Sequence, residues 1–242
     1  MHTRMRTSPT IAIVVYQGVL VDETDAFRFV FSHLSELETV RVGITRGEHA
    51  GPGGVEVAEA TLEEIGNPEI VVVPGGIRCD RLTEIADWLK TVTPAWIVAS
   101  STGSTLLAAA GLLHHRTAAT HWLAGPLLER YGAYPSREPL VVDGRIVTCS
   151  GASSAFRAAL VIAEAYGGLE VVQQIRSAVA IGQAPETRPH EALWQRLWHS
   201  IRRPHREPEL VPARSDPMIT DSNVLDLGMI TLGGTRDDRS DA

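Results

Sequence analysis

Short apolar runs alternate with amphipathic segments from residue 11 to about residue 180. The run at residues 11–16 is rich in β-branched residues, which is typical of strands covered on both faces, and a second buried strand is predicted at residues 95–100. The segments between such runs carry apolar side chains at helical spacing, as Ala26, Phe27 and Val30 do. Strands that alternate with helices favour a parallel sheet, because parallel neighbours need a crossover helix. We therefore expect an α/β fold, a three-layer sandwich with a mostly parallel, flavodoxin-like sheet and helices on both faces.

The alternation stops near residue 180, and we expect the chain to divide there. Residues 1–180 are predicted to form the α/β domain, and residues 181–242 a C-terminal extension that is not an independent domain. The extension begins with a short amphipathic helix and continues into a Pro/Arg-rich tail, a composition typical of irregular structure. The apolar stripe of that helix comprises Leu193, Trp194, Leu197, Trp198 and Ile201. Such a stripe has to be buried, either in the core or in a dimer contact, and we expect a homodimer.

Glycine and proline mark the turns between the predicted elements. Residues 49–54 contain three glycines and a proline and are predicted to form a turn. Gly167 and Gly168 are predicted to end a helix over residues 155–166, since glycine is the usual residue past a helix C-terminus.

Composition narrows the class of protein. The net charge of −7 argues against a nucleic-acid-binding surface. No apolar run reaches the length of about 18 residues that a membrane-spanning helix needs. The N-terminus carries no signal-peptide core, and the two cysteines make neither a disulfide framework nor a zinc motif. We expect a cytoplasmic protein that binds a small-molecule substrate, with no metal and no organic cofactor.

A polar turn from Ser100 to Ser104 joins a predicted strand to a predicted helix over residues 102–113. In such a turn one side chain, here that of Ser101, stands among the backbone N–H groups of the helix N-terminus. Ser101 is therefore a candidate nucleophile or a polar anchor, although a serine needs an adjacent base to attack. The alternative is that one of the hydroxyls, including that of Thr102, only caps the helix.

Two further loops are predicted at the same edge of the sheet, where α/β proteins bind ligands. Gly75 and Gly76 follow a buried strand, and their N–H groups could form an oxyanion hole. Asp22 follows the first strand and could serve as a general acid or base, or it could only cap the next helix.

Six stretches, taken together and in this order, have a specific likeness: IAIVVYQGVLVDETDAF, EIVVVPGGIR, VASSTGSTLLAAAGLL, AATHW, GAYP and VVDGRIVTCSGASSAFRAAL. Between residues 11 and 166 the chain resembles the ThiJ/PfpI superfamily, which has the class I glutamine amidotransferase-like fold. Within it the chain is most similar to isonitrile hydratases and to the amidase-like domains of AraC-type regulators.

The resemblance implies a set of site residues. Asp22, Ser101 and Thr102 fall at catalytic positions. Substrate and oxyanion contacts would come from Gly75, Gly76, Ile77, His121 and Glu23. The chain departs from the family at residue 101, where the usual cysteine is a serine, and at Arg28, where the family has a glutamate. Thiolate chemistry is excluded at residue 101, so the enzyme uses another mechanism, or the serine is an engineered replacement, or the site only binds.

These observations favour an enzyme of the isonitrile-hydratase-like branch, with hydratase- or lyase-type acid–base chemistry at Ser101 and Asp22. One alternative is a cofactor-free cyclase or isomerase of secondary metabolism, in which proton transfer alone suffices. The other is a catalytically silent binding or regulatory module.

Overall fold

The computed structural model describes residues 9–180, and the C-terminal extension and its apolar stripe lie outside the described residues. The elements follow in chain order: β1 (Thr10–Val14), α1 (Val21–Phe31), β2 (Glu38–Gly43), β3 (Gly47–Gly51), β4 (Gly54–Ala58), β5 (Ala60–Thr61), β6 (Ile70–Val73), α2 (Thr83–Leu89), β7 (Trp96–Ser100), α3 (Gly103–Ala109), β8 (Thr117–Ala118), α4 (Gly125–Arg130), β9 (Tyr134–Pro135), β10 (Leu140–Asp143), β11 (Ile146–Cys149) and α5 (Ala152–Ala180). Short 3-10 helices occupy Cys79–Arg81 and Trp122–Ala124.

The main sheet has the strand order β10-β11-β7-β6-β1-β2-β5. All of its pairings are parallel except that of β10 with β11. Its inner strands, β2-β1-β6-β7-β11, have the 2-1-3-4-5 order of flavodoxin-like sheets. The predicted fold class is therefore confirmed.

Two apolar layers cover the sheet, because successive strand residues point to opposite faces. In β1, Ala12 and Val14 pack in the layer that contains α2 and α3. Ile11 and Ile13 pack in the other layer, against α1 and α5. All four side chains are fully buried, as continuous apolar strands require.

The structure differs from the expected turn at residues 49–54. Gly47–Gly51 and Gly54–Ala58 pair as an antiparallel hairpin outside the main sheet. The hairpin lies against the loop after β1: a side chain at Gly51 would overlap the backbone of Val19. Tertiary packing thus holds a glycine-rich segment in a strand, against its local preference.

The helix predictions hold in part. Gly168 adopts a left-handed φ of 67° and breaks α5, as the glycine pair predicted. Helix α3 ends at Ala109 rather than at residue 113, and turns follow it. Within residues 9–180, none of the helices has the length and hydropathy to span a bilayer.

Candidate active site

The carboxyl ends of three adjacent strands place the candidate site. Strands β1, β6 and β7 are neighbours in the sheet, and the loops after them carry the acidic segment of α1, the Gly75-Gly76 corner and the Ser101 turn. The connection from β1 leads to β2 and that from β6 leads to β7, so the chain leaves these two neighbouring strands in opposite directions. Such a topological switch point is where doubly wound sheets bind ligands.

Ser101 occupies a strained elbow between β7 and α3. Its φ is 53°, in the left-handed region that residues with a side chain rarely adopt, and the residue is 3% exposed. The peptide is held on both sides: the N–H donates to Cys149 O at 2.7 Å, and the carbonyl accepts from Thr120 Oγ1 at 3.0 Å and from Ser104 Oγ at 2.9 Å. The tertiary contacts over-determine this conformation, as strained functional residues require.

The helix-cap alternative is wrong for this turn. Thr102 stands at the N-cap of α3, but no side-chain hydrogen bond caps the helix. The Thr102 hydroxyl bonds instead to the backbone of Gly76. The turn is therefore used for contacts across the site rather than for helix capping.

The carboxylate that meets this turn belongs to Glu23. Its side chain is 1% exposed. Its Oε2 accepts hydrogen bonds from Gly75 N at 2.7 Å and from Ser100 Oγ at 2.5 Å. A Cβ on Gly75 would stand 3.0 Å from both Glu23 Oε2 and Ser101 Oγ, so the carboxyl and the hydroxyl converge on this glycine. Only glycine fits between them.

Burial raises the pKa of the Glu23 carboxyl above its usual value. Hydrogen bonds from the Ser100 hydroxyl and the Gly75 N–H oppose that rise, the charge of Asp22 adds to it, and a hydrogen bond from Ser101 opposes it again. The outcome is a carboxyl that holds its proton to a higher pH than an exposed glutamate, which suits a proton donor.

Asp22 lies one position earlier on α1 and is only half-buried. It lies near the hairpin, where a side chain on Gly53 would approach its Oδ1 at 3.2 Å. The cap alternative fails here as well, because the N-cap is Leu20 and has no side-chain cap. The catalytic role of Asp22 stays a prediction, and its described effect on the site is to raise the pKa of Glu23.

The sequence carried a signal for Glu23. The buried stripe of α1 includes Ala26, Phe27 and Val30, and extending it by three or four residues toward the N-terminus reaches Glu23. A carboxylate on the apolar stripe of a helix has to be paired or neutral. That conflict marks it as a functional candidate ahead of Asp22.

The Gly75-Gly76 corner differs from the expected open oxyanion hole. The Gly75 N–H donates to Glu23, and the Gly76 N–H donates to Thr102 Oγ1 at 2.9 Å. The Thr102 hydroxyl donates back to Gly76 O at 2.9 Å. Both N–H groups therefore have protein partners, and an oxyanion role for them, which stays a prediction, would require these bonds to break.

Two buried side chains, those of Tyr16 and Cys79, contact the backbone of this corner. The Tyr16 hydroxyl donates to Pro74 O at 2.7 Å and lies 2.8 Å from Cys79 Sγ, which in turn lies 3.4 Å from Thr102 Oγ1. Burial raises the pKa of the Cys79 thiol and, further, that of the fully buried Cys149 thiol. Thiolates at these positions are disfavoured, so neither cysteine replaces the nucleophile missing at Ser101.

The two remaining predicted residues lie at the border of the site. Ile77 is exposed, and its N–H donates to Gly18 O at 2.9 Å. His121 is half-buried, and its Nδ1 accepts from the Leu123 N–H at 3.3 Å, so the described contact of the ring is local. Their roles in binding stay predictions. Within residues 9–180 no cluster of His, Cys, Asp or Glu is suited to hold a metal ion.

A flavodoxin-like sheet with a strained serine elbow after β7, facing a buried carboxyl on α1, defines a recognisable class of α/β proteins. Residues 11–165 match the sequence model of the DJ-1/PfpI family, and the chain belongs to that family.

Two curated relatives are similar in sequence. The chain is 30% identical over 130 residues to isonitrile hydratase from Pseudomonas putida, a match that covers 52% of this chain and 57% of that protein. It is 27% identical over 135 residues to the glutathione-independent glyoxalase DJR-1.2 from Caenorhabditis elegans, covering 52% of this chain and 72% of that protein. The relatives are enzymes, which supports an enzyme-like role.

Solved structures share the fold. A ThiJ/PfpI family protein from Pseudomonas syringae superposes with a TM-score of 0.63 at 22% identity, covering 76% of this chain and 78% of that one. An AraC family transcriptional regulator from Pseudomonas putida superposes with a TM-score of 0.65 at 12% identity, covering 71% of this chain and 99% of that one. Both structures share the fold that the resemblance implies.

Proposed function

We propose that this protein is an enzyme that transfers protons to and from a small organic substrate, with Glu23 as the acid–base group and Ser101 as its partner. The observation that carries the proposal is the convergence of the Glu23 carboxyl and the Ser101 hydroxyl on Gly75, at the carboxyl ends of the strands. Burial of Glu23 and the neighbouring Asp22 both raise the pKa of the Glu23 carboxyl, which suits a proton donor.

Ser101 acts in this proposal as a hydrogen-bonding group and not as a nucleophile. A serine hydroxyl loses its proton only to a strong adjacent base, and a carboxylate is a weak one. The Ser101 hydroxyl converges with the Glu23 carboxyl on Gly75. It can therefore orient a substrate or a water molecule next to the acid.

Hydration of an isonitrile suits this arrangement, and the similarity to isonitrile hydratase supports it. The Glu23 carboxyl gives its proton to the terminal carbon, which forms a C–H bond. Water held by Ser101 then adds to the same carbon, and the proton that it loses returns to Glu23. A proton shift from oxygen to nitrogen completes an N-substituted formamide, so one water is added overall.

One observation favours a second candidate, a cofactor-free isomerase or cyclase. Because the N–H groups of Gly75 and Gly76 have protein partners, the corner is poorly prepared for a tetrahedral oxyanion. A reaction that only relocates protons needs the Glu23 acid and no such hole. The glyoxalase activity in the name of the nematode relative is disfavoured for this protein, since that chemistry would require a thiol and residue 101 is a serine.

The test measures formamide production from cyclohexyl isocyanide by NMR, and deuterium uptake into carbon acids in D2O for the isomerase chemistry. We expect Glu23→Gln and Ser101→Ala each to lower turnover by about 10²-fold or more, as removal of an acid–base group does. Asp22→Asn is expected to lower the pKa of Glu23 and to move the pH profile toward acid. Asp25→Asn, on the outer part of the same helix, serves as the matched control.

Retained turnover in both Glu23→Gln and Ser101→Ala would contradict the acid–base proposal and favour a binding module. Ser101→Cys introduces the cysteine that is usual in the family at this position. If the elbow stabilises a thiolate, this variant hydrates isonitriles and is inactivated by iodoacetamide.

A further inference from the structure

A cleft of about 700 Å³ lies next to residues that bond to the Ser101 turn. Its walls come from the 3-10 helix Trp122–Ala124 with α4 and from the segment around β9, and Ser150 lies at its base. This volume falls in the range of about 300–1,000 Å³ that is typical of small-molecule sites. The cleft is not used by the acid–base chemistry described above.

Two lining residues tie the cleft to the elbow. Thr120 lines it and donates its hydroxyl hydrogen bond to Ser101 O. Ser150 lines it and directly follows Cys149, whose carbonyl accepts the Ser101 N–H. The cleft is therefore connected to the Ser101 peptide directly through Thr120 and, one residue removed, through Ser150.

Flat apolar groups form the walls. The cleft is lined by Trp122, Pro126 and Pro135, and the Trp122 side chain is 78% exposed, whereas Trp88 is 9% exposed. A tryptophan left in solvent is apolar area that a ligand can cover. Indole and proline rings present flat faces, which favour a flat ring in the ligand.

The Trp122 wall is preorganised. Its residue opens a 3-10 helix whose first turn is capped by His121 Nδ1, and the two rings lie 5.8 Å apart at an angle of 32°. Pro126 stands in the first turn of α4 and fixes the backbone that follows. A fixed wall reduces the ordering cost of binding.

The polar rim carries two carboxylates and one guanidinium, from Glu129, Glu138 and Arg137. All three residues are exposed, so their effect is modest and sensitive to salt. Their excess of one negative charge disfavours an acidic ligand and favours a neutral or basic one.

We propose that this cleft binds the non-reacting body of the substrate, and that this body is a flat ring compound, neutral or basic. The inference rests on the proposed function, because it assumes that the molecule in the cleft reacts beside Ser101. It names the substrate class of that site: a ring held between Trp122 and the prolines, with the reacting group directed at the elbow.

The test uses three matched probes, indole, tryptamine and indole-3-acetate, and follows the indole N–H resonance of Trp122 in protein labelled with ¹⁵N-tryptophan. Trp122→Phe assigns the resonance. We expect indole and tryptamine to shift it with dissociation constants of about a millimolar, as befits such small ligands, and indole-3-acetate to bind several-fold more weakly. Glu129→Gln combined with Glu138→Gln should reduce the advantage of tryptamine.

Trp122→Ala is expected to weaken the binding of indole about tenfold, since an aromatic wall of the cleft is lost. Indole binding to this variant is measured by saturation-transfer NMR. Leu123→Ala is the matched control, because Leu123 is exposed next to Trp122 without lining the cleft. Equal binding in these two variants, tighter binding of the acidic probe, or no shift of the Trp122 resonance would overturn the inference.

The binding assay needs no turnover, so it separates this inference from the proposed function. Indole binding retained in Ser101→Ala, together with lost turnover, supports both. Turnover that depends on Glu23 and Ser101 in a protein that does not bind indole leaves the function standing and refutes the cleft.

Discussion

Substituting Gly75 by alanine tests whether the Glu23–Ser101 pair is set by close approach at this residue. A Cβ at position 75 would lie 2.6 Å from Ser101 Cβ and 3.0 Å from Glu23 Oε2. Non-bonded carbons prefer about 3.5–4.0 Å, so the two loops must separate by about 1 Å. Overpacking of this kind costs about 1–3 kcal/mol. For a domain of this size that lowers the melting temperature by about 2–12 °C.

The displacement also separates the reacting groups. A misplacement of about 1 Å lowers turnover by about 10²-fold, so Gly75→Ala should lose activity even at temperatures where it is folded. The measurements are a thermal melt followed by circular dichroism and the turnover of the folded variant.

Gly151→Ala is the matched control at the same site. Its Cβ would lie no closer than 3.9 Å to its nearest neighbour, which is Glu23 Oε1, and its backbone is not left-handed. We expect this variant to melt at the wild-type temperature or slightly above it, by the usual entropic effect of Gly→Ala. If Gly75→Ala melts and turns over like Gly151→Ala, the close-approach reasoning is refuted.

Further predictions concern the groups around the pair. The folded state favours protonated Glu23, so the contribution of this carboxyl to stability is fully present below its usual pKa of 4.5 and is lost as the pH rises through the raised value. The difference between wild-type and Glu23→Gln melts from about pH 4 to pH 8 should show that loss. Ser100→Ala removes a hydrogen bond that lowers the pKa of Glu23, so the Glu23 carboxyl should titrate at a higher pH by ¹³C NMR. Thr102→Val leaves the backbone groups of Gly76 without their hydroxyl partner and should cost about 1–3 kcal/mol in urea unfolding, with Thr102→Ser restoring most of it. Cys79 should react with Ellman's reagent only on unfolding, because it is buried and its pKa is raised; fast reaction in the native state would contradict the packing.

The sequence was sufficient for the framework of the site, because local patterns determine it. Strands β1, β6 and β7 are unbroken apolar runs, and a parallel sheet brings the loops after them to one edge. The sequence therefore predicts that Ser101 and the Gly75 corner lie close together. Local patterns failed for β3, because residues 49–51 belong to this glycine-rich strand rather than to the predicted turn, and packing on the loop after β1 decides its conformation.

The choice between Asp22 and Glu23 could not be made from composition at the helix start. Which of two adjacent acids faces inward depends on where α1 begins. That start is held by a distant segment, because the Val21 N–H donates to Pro52 O at 3.1 Å, in the tip of the β3–β4 hairpin. The engagement of the Gly76 N–H by Thr102 is likewise a contact between distant segments. Glu23 was predicted only as a substrate or oxyanion contact, and the phase of the apolar stripe, extended to Glu23, is the signal that could have identified it as the buried carboxyl.

The bonds of Glu23 have a consequence for folding kinetics. They join residues 52 and 77 positions apart in the chain, across three parallel strands that pair only after their crossover helices are in place. During folding, an ionised Glu23 carboxyl must give up its hydration and either take up a proton or form these hydrogen bonds. Because the carboxyl is ionised in more of the unfolded chains at higher pH, refolding should slow as the pH rises. An intermediate in which β7 has not docked on β6 lacks the carboxyl–serine pair even if every helix is formed. Appearance of the pair therefore reports the docking of β7 on β6.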